Sequence, residues 1–140
     1  MAMKADLRAG LALASLLAFC AGGVSAQEMF SGGFKQQTGE AIYRGVCQGC
    51  HMPDAKGAVG AGAYPSLANN PNLASPVYPA VVIVNGQKAM PAFGGYFSDD
   101  QIAAVINYVR SNFGNHYADK ITPDQVKSVR PAKAQSAEMF

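Results

Sequence analysis

Two thiols and an imidazole stand together in Cys47-Gln48-Gly49-Cys50-His51. Thiols three positions apart on a turn of helix can each add to one vinyl group of a haem. The imidazole that follows is then carried beneath the iron. The arrangement C-x-x-C-H reads as covalent haem attachment. Three other readings stay open. A redox-active disulfide belongs to a βαβ context, which the surrounding sequence lacks. Structural zinc wants four Cys or His ligands, and only Cys47, Cys50, His51 and the distant His116 are on offer. The third is chance.

A haem iron held by one histidine needs a second ligand to close the site. A methionine thioether opposite histidine raises the potential and suits electron transfer. Outside the N-terminal segment the candidates are Met29, Met52, Met90 and Met139. Met52 adjoins His51 and is committed to the same side of the ring, while Met29 and Met139 lie near the chain ends. Met90 stands in a loop stiffened by Pro91 and followed by Phe93, Gly94 and Gly95, and a stiff loop can hold a weak ligand in place. Met90 as a core filler is the alternative. The second ring nitrogen of His51 needs an acceptor to fix its tautomer. The Pro65 carbonyl is the candidate, with an ordinary turn proline as the alternative. His116 reads as a surface residue.

The elements that must position these groups follow from the pattern. Thr38 caps a helix, with Gly39, Tyr43, Val46 and Cys50 along one face. Residues 52–75, rich in Gly, Pro and Asn, predict an irregular connection. Val81-Val82-Ile83-Val84 has strand propensity, but Pro79 and Gly86 suit the start and end of a helix, and a short helix is expected. Ser98 and Gln101 form a capping box for a helix with the stripe Ile102, Val105, Ile106, Val109 and Phe113, ending at Gly114. Thr122-Pro123-Asp124-Gln125 signals one more short helix. The tail from Arg130 is polar and expected to be mobile.

Lys4 and Arg8 precede an apolar run from Leu11 to Phe19 that reaches Val24, and Val24-Ser25-Ala26 gives small residues at a signal-peptidase spacing. Residues 1–26 read as a cleaved secretory signal. An uncleaved anchor is the alternative, although the run is short for a span of about 20 residues. Phe19 is too bulky to precede a lipidated Cys20. Removal of 1–26 leaves 114 residues with net charge +1, which suits one domain and gives no sign of nucleic acid. No further apolar run is long enough to cross a membrane. Of three cysteines only Cys47 and Cys50 remain, and exported thiols persist only when a disulfide, a metal or a cofactor consumes them. The expected layout is signal 1–26, leader 27–36, a domain over 37–117 and an extension over 118–140. The expected compartment is the periplasm.

With those residues placed, the chain resembles the bacterial class I cytochromes c over residues 37–114. Gly39, Tyr43 and Cys47 resemble the opening helix of that family, whose glycine and aromatic meet the closing helix. Tyr64-Pro65-Ser66-Leu67 is similar to the loop whose proline carbonyl meets the haem histidine. Asn85 to Phe93 is close to the Met-ligand segment, and Ser98 to Val109 resembles the closing helix, with Val105 and Tyr108 at the contact positions. The resemblance implies an all-α cytochrome c fold, three to five helices around one covalent haem c. It implies cofactor contacts from Cys47, Cys50, His51, Pro65 and Met90, with His51 and Met90 on the iron. About 25 residues follow Gly114, resembling tails on cytochrome subunits that serve periplasmic dehydrogenases.

The function expected is single-electron transfer between redox proteins, a dehydrogenase as donor and an oxidase or another cytochrome as acceptor. A fixed subunit of a dehydrogenase complex and a ligand-binding or sensing haem protein are the competitors. The sequence holds no nucleophile beside a base and no carboxylate pair at an expected pocket, so no catalytic residue is assigned and no enzyme activity of its own is expected. Lys56 and Lys88 flank the two ligand segments and could line a haem edge. With net charge near zero, steering should be modest.

Overall fold

The computed structural model describes residues 34–60 and 62–132. The expected signal 1–26 with Cys20, most of the leader with Met29, and residues 133–140 with Met139 lie outside the described residues. A continuous helical stretch opens the fold: α1 (Gly39–Ile42), a wide-turn π segment (Tyr43–Cys47) and α2 (Gln48–His51). A two-stranded antiparallel hairpin follows, β1 (Ala58–Val59) with β2 (Ala63–Tyr64), then a 3-10 turn over Pro71–Ala74. Three helices complete the chain: α3 (Val77–Asn85), α4 (Asp99–Ser111) and α5 (Pro123–Ser128). The fold is all-α apart from the hairpin, which the irregular reading of 52–75 did not foresee.

Helix α4 is the spine. The Ser98 hydroxyl accepts from the Gln101 N–H at 3.2 Å, and the Gln101 side chain accepts from the Ser98 N–H at 2.9 Å. Asp99 and Asp100 add negative charge at the positive end of the helix. Ile102, Val105, Ile106 and Val109 are buried as their spacing predicts. The helix ends at Ser111, before the expected Gly114. Asparagine side chains compete for its last carbonyls: Asn112 Nδ2 donates to Tyr108 O and Asn115 Nδ2 to Val109 O. Phe113 then turns with φ 57 and returns its ring to Tyr43, 4.8 Å between centroids. It reaches the core from a turn instead of a helical face.

Helix α3 settles the strand-or-helix ambiguity in favour of helix. Pro79 sits in its first turn, where a backbone N–H has no partner to lose. Gly86 closes the helix at φ 76.

Helix α1 crosses α4 at Gly39. A Cβ on Gly39 would collide with the Ala104 carbonyl and lie 2.6 Å from Tyr108 Cβ. Only hydrogen lets the two backbones meet. Nearby, the end of the leader is tied down, because Gln101 Nε2 donates to the carbonyls of Phe34 and Gln36 at 2.6 and 2.8 Å.

The described part of the extension belongs to the same core. Ile121 and Val126 are fully buried, and α5 carries its own reciprocal box between Thr122 and Gln125. Arg130, expected to open a mobile tail, is bonded to Asp99, Gly94 and Phe97. Arg110 on α4 is buried and donates to the carbonyls of Leu73 and Ala74 and to Asp119. Helical spacing alone hides this residue, which ties the 3-10 turn and the extension to one side chain.

Gly39→Ala should destabilise the protein by about 1–3 kcal/mol, the range for an overpacked contact. Denaturant unfolding of the variant checks it, and an unchanged midpoint would contradict the close crossing.

Candidate functional site

The helix that carries Cys47 and Cys50 is irregular where it matters. Between Tyr43 and Cys47 its hydrogen bonds lengthen to i→i+5, with the Gln48 N–H reaching back to Tyr43 O. Such wide turns concentrate at functional sites. Cys47 comes out half-buried and Cys50 exposed, with no disulfide between them. Helix α2 stops at Met52, which takes φ 65. That strained end is held twice: the Tyr43 hydroxyl donates to Met52 O at 2.7 Å, and the Gly57 N–H donates to His51 O at 3.1 Å. His51 is thereby fixed in a buried position on the cavity wall.

His51 Nδ1 lies 3.0 Å from the Pro65 carbonyl oxygen. With the proton on Nδ1, the ring donates to that carbonyl and Nε2 keeps its lone pair free for a metal. The Pro65 segment is itself anchored, because Ala55 O accepts from the N–H groups of Leu67 and Ala68 and from the Ser66 hydroxyl.

Met90 comes from a different kind of support. Gln87 and Met90 exchange backbone hydrogen bonds at 3.0 and 2.9 Å, making a tight loop. Gly86 underlies it, since a Cβ there would come 2.8 Å from Met90 O and from Ala92 N. The Phe93 and Gly94 N–H groups return the chain to the Ile83 and Val84 carbonyls at the end of α3.

Cys47, Cys50, His51, Pro65 and Met90 all line one cavity of about 610 Å³. Its volume is that of a cofactor site. Most of the remaining wall is apolar or aromatic, including Tyr43, Leu67, Ile83, Phe93, Val105 and Ile106. The donor set suits a haem: two thiols on one wall, an imidazole with a fixed tautomer, a thioether and a greasy lining. It suits zinc poorly. Structural zinc wants four Cys or His ligands, and the cavity wall offers only Cys47, Cys50 and His51. Among the described residues no three of His, Cys, Asp and Glu gather as a metal site.

His116 is exposed and lines no part of this cavity, lying instead beside Asn69 and Tyr117. Lys88 lines the cavity, whereas Lys56 does not and pairs with Asp54 at 3.3 Å. Residue-by-residue reading missed the aromatic and aliphatic wall, with Tyr78, Leu73 and Phe97 among its members. A signal for it was present: residues 57–97 contain one charged side chain, Lys88.

The chain matches the family model described as cytochrome C oxidase, cbb3-type, subunit III, over residues 34–109. It is 39% identical over 116 residues to the fructose dehydrogenase cytochrome subunit of Gluconobacter japonicus, covering 72% of this chain and 24% of that one. It is 30% identical over 112 residues to the gluconate 2-dehydrogenase cytochrome c subunit of Pantoea cypripedii, covering 70% and 25%. It is 38% identical over 81 residues to the cytochrome c6 of Diacronema lutheri, covering 54% and 94%. The chain therefore spans about a quarter of the dehydrogenase subunits it matches and nearly all of that cytochrome c6.

Burial, then the neighbouring Cys47, Tyr108 and Asp54, push the Tyr43 phenol from 10.0 up to about 12. The folded state holds this proton more tightly than the unfolded chain. The stability so gained is complete below pH 10 and is lost as pH rises through 12. The difference in tyrosinate absorbance between the protein and Tyr43→Phe should develop only well above pH 10, where burial keeps this phenol protonated. A difference that titrates at 10 with the fold intact would contradict this.

Proposed function

The chain belongs to the c-type cytochromes, and we propose that it is a single-electron carrier built on one covalently attached haem c. Cys47 and Cys50 form the thioether links, and His51 Nε2 and the Met90 sulfur bind the iron. The observation that carries this reading is the convergence of all four side chains on one apolar cavity, with His51 Nδ1 already engaged by Pro65 O. When bound, the haem supplies a reversible one-electron ferric–ferrous couple. The protein does the rest. The Pro65 carbonyl holds the imidazole tautomer and its orientation. The loop from Gly86 to Gly94 would bring the Met90 thioether to the same cavity. The apolar wall keeps water out and favours the less charged state. With His51 and Met90 both holding the metal, no substrate would reach it, and catalysis would belong to another chain.

The setting we propose is the periplasm, reached through the signal read in residues 1–26, with dehydrogenases as donors. The relatives named as cytochrome subunits of fructose and gluconate dehydrogenases support that choice. A fixed place in such a complex is the second reading. It is favoured by the near absence of charge across residues 57–97, because a neutral wall gives a diffusing shuttle little to steer by.

Holoprotein made in a host with haem-attachment machinery should keep its haem through denaturation. Its reduced spectrum should not respond to carbon monoxide, and that of Met90→Ala should. Haem lost on denaturation would refute the thioether links, and a carbon monoxide response in the unsubstituted protein would refute Met90 ligation.

Association with a redox partner should change by less than about tenfold between low and high salt, below the usual range of electrostatic steering. Lys56→Glu with Lys88→Glu should leave the rate nearly unaltered. A steep salt dependence in stopped-flow reduction would contradict the neutral docking face.

A further inference from the structure

We infer that the chain from Thr122 to Arg130 is a strap that keeps the Met90 loop closed, with Arg130 as its positioning residue; the inference rests on Met90 being the sulfur ligand proposed above. Arg130 reaches three acceptors in the segment that joins the Met90 loop to α4. Its Nε donates to Asp99 Oδ1 at 2.6 Å, Nη2 to Phe97 O at 2.9 Å, and Nη1 to Gly94 O. None of these residues is near Arg130 in sequence.

The guanidinium is delivered from a fixed platform. Val126 is fully buried, and the Ile121 N–H and carbonyl are both bonded to the Asn107 side chain on α4. From the other side, the Gly94 N–H is held by Val84 O at 3.2 Å and the Phe93 N–H by Ile83 O at 2.8 Å. Gly94 is thus gripped between α3 and the strap. Phe93 and Phe97, stacked with centroids 5.5 Å apart, carry that grip to the cavity wall.

Burial makes this contact weightier than the surface pairs. Both side chains of the Arg130–Asp99 pair are 26% exposed, against 69% and 53% for Arg44–Glu40. Exposed pairs contribute little, whereas a half-buried, multiply bonded guanidinium leaves two carbonyls and a carboxylate short of partners when removed. A thioether is a weak ligand, so the fraction bound depends on how far its loop can open.

The test compares unsubstituted holoprotein with Arg130→Gln, Arg130→Lys, Asp99→Asn and, as a control, Lys127→Gln on the exposed face of α5. The readouts are carbon monoxide uptake by the reduced protein and the sulfur–iron charge-transfer band of the ferric protein, both recorded well below the unfolding temperature. Arg130→Gln should raise the fraction with Met90 detached roughly tenfold to a hundredfold, the factor that charge-assisted hydrogen bonds carry. Asp99→Asn and Arg130→Lys should move the same way by less, and they carry the test if Arg130→Gln fails to fold. Lys127→Gln should change nothing. Variants that are less stable but keep an unchanged charge-transfer band and stay indifferent to carbon monoxide would overturn the strap. Carbon monoxide uptake by the unsubstituted protein would instead overturn Met90 ligation, and the strap with it.

Discussion

A cavity of about 610 Å³, walled by residues from Tyr43 to Val109, is the space around which the described residues pack. Left to water, its apolar lining would forgo about 25 cal/mol of burial free energy for each Å² kept wet. Whatever occupies it is therefore part of the fold as well as part of the function. The crossing of α1 and α4 at Gly39 braces one wall, α3 forms another, and the stretch between the hairpin and Phe97, with Lys88 its one charge, closes around the rest.

The two sides of the cavity are supported differently. The histidine side is helical, and its strained end at Met52 is secured by hydrogen bonds from Tyr43 and Gly57. The methionine side is a loop, secured at one end by α3 and at the other by contacts from beyond α4. A helix terminus resists displacement through its own ladder of bonds. A loop resists only through its attachments, so its rigidity depends on residues remote in sequence.

Much of this was legible from single residues. Ser98 with Gln101, and Thr122 with Gln125, announced α4 and α5, because a reciprocal cap is a local interaction between residues three apart. The C-x-x-C-H run and the stiff loop at Met90 marked the site for the same reason. What stayed hidden was non-local. The early end of α4 depends on Asn115 folding back onto Val109 O. The burial of Arg110 depends on carbonyls 36 and 37 positions away. The tail from Arg130 reads as polar and mobile, yet Arg130 is bonded to Asp99, Gly94 and Phe97, and Ile121 and Val126 before it complete the core. Local spacing cannot reveal these, since the partner of each is set by the tertiary arrangement.

The contact between the beginning and the end of the domain has a consequence for assembly. Gln101 reaches Phe34 across 67 positions, and Gly39 meets Ala104 and Tyr108 over a similar span. Loop closure grows costlier only slowly with length, so docking these ends is little penalised by the length between them. The loop that this docking closes carries Pro65, Ile83, Met90 and Phe93 to the cavity wall, so a group held there touches both the docked ends and the chain between them, and ties the loop to its own closure.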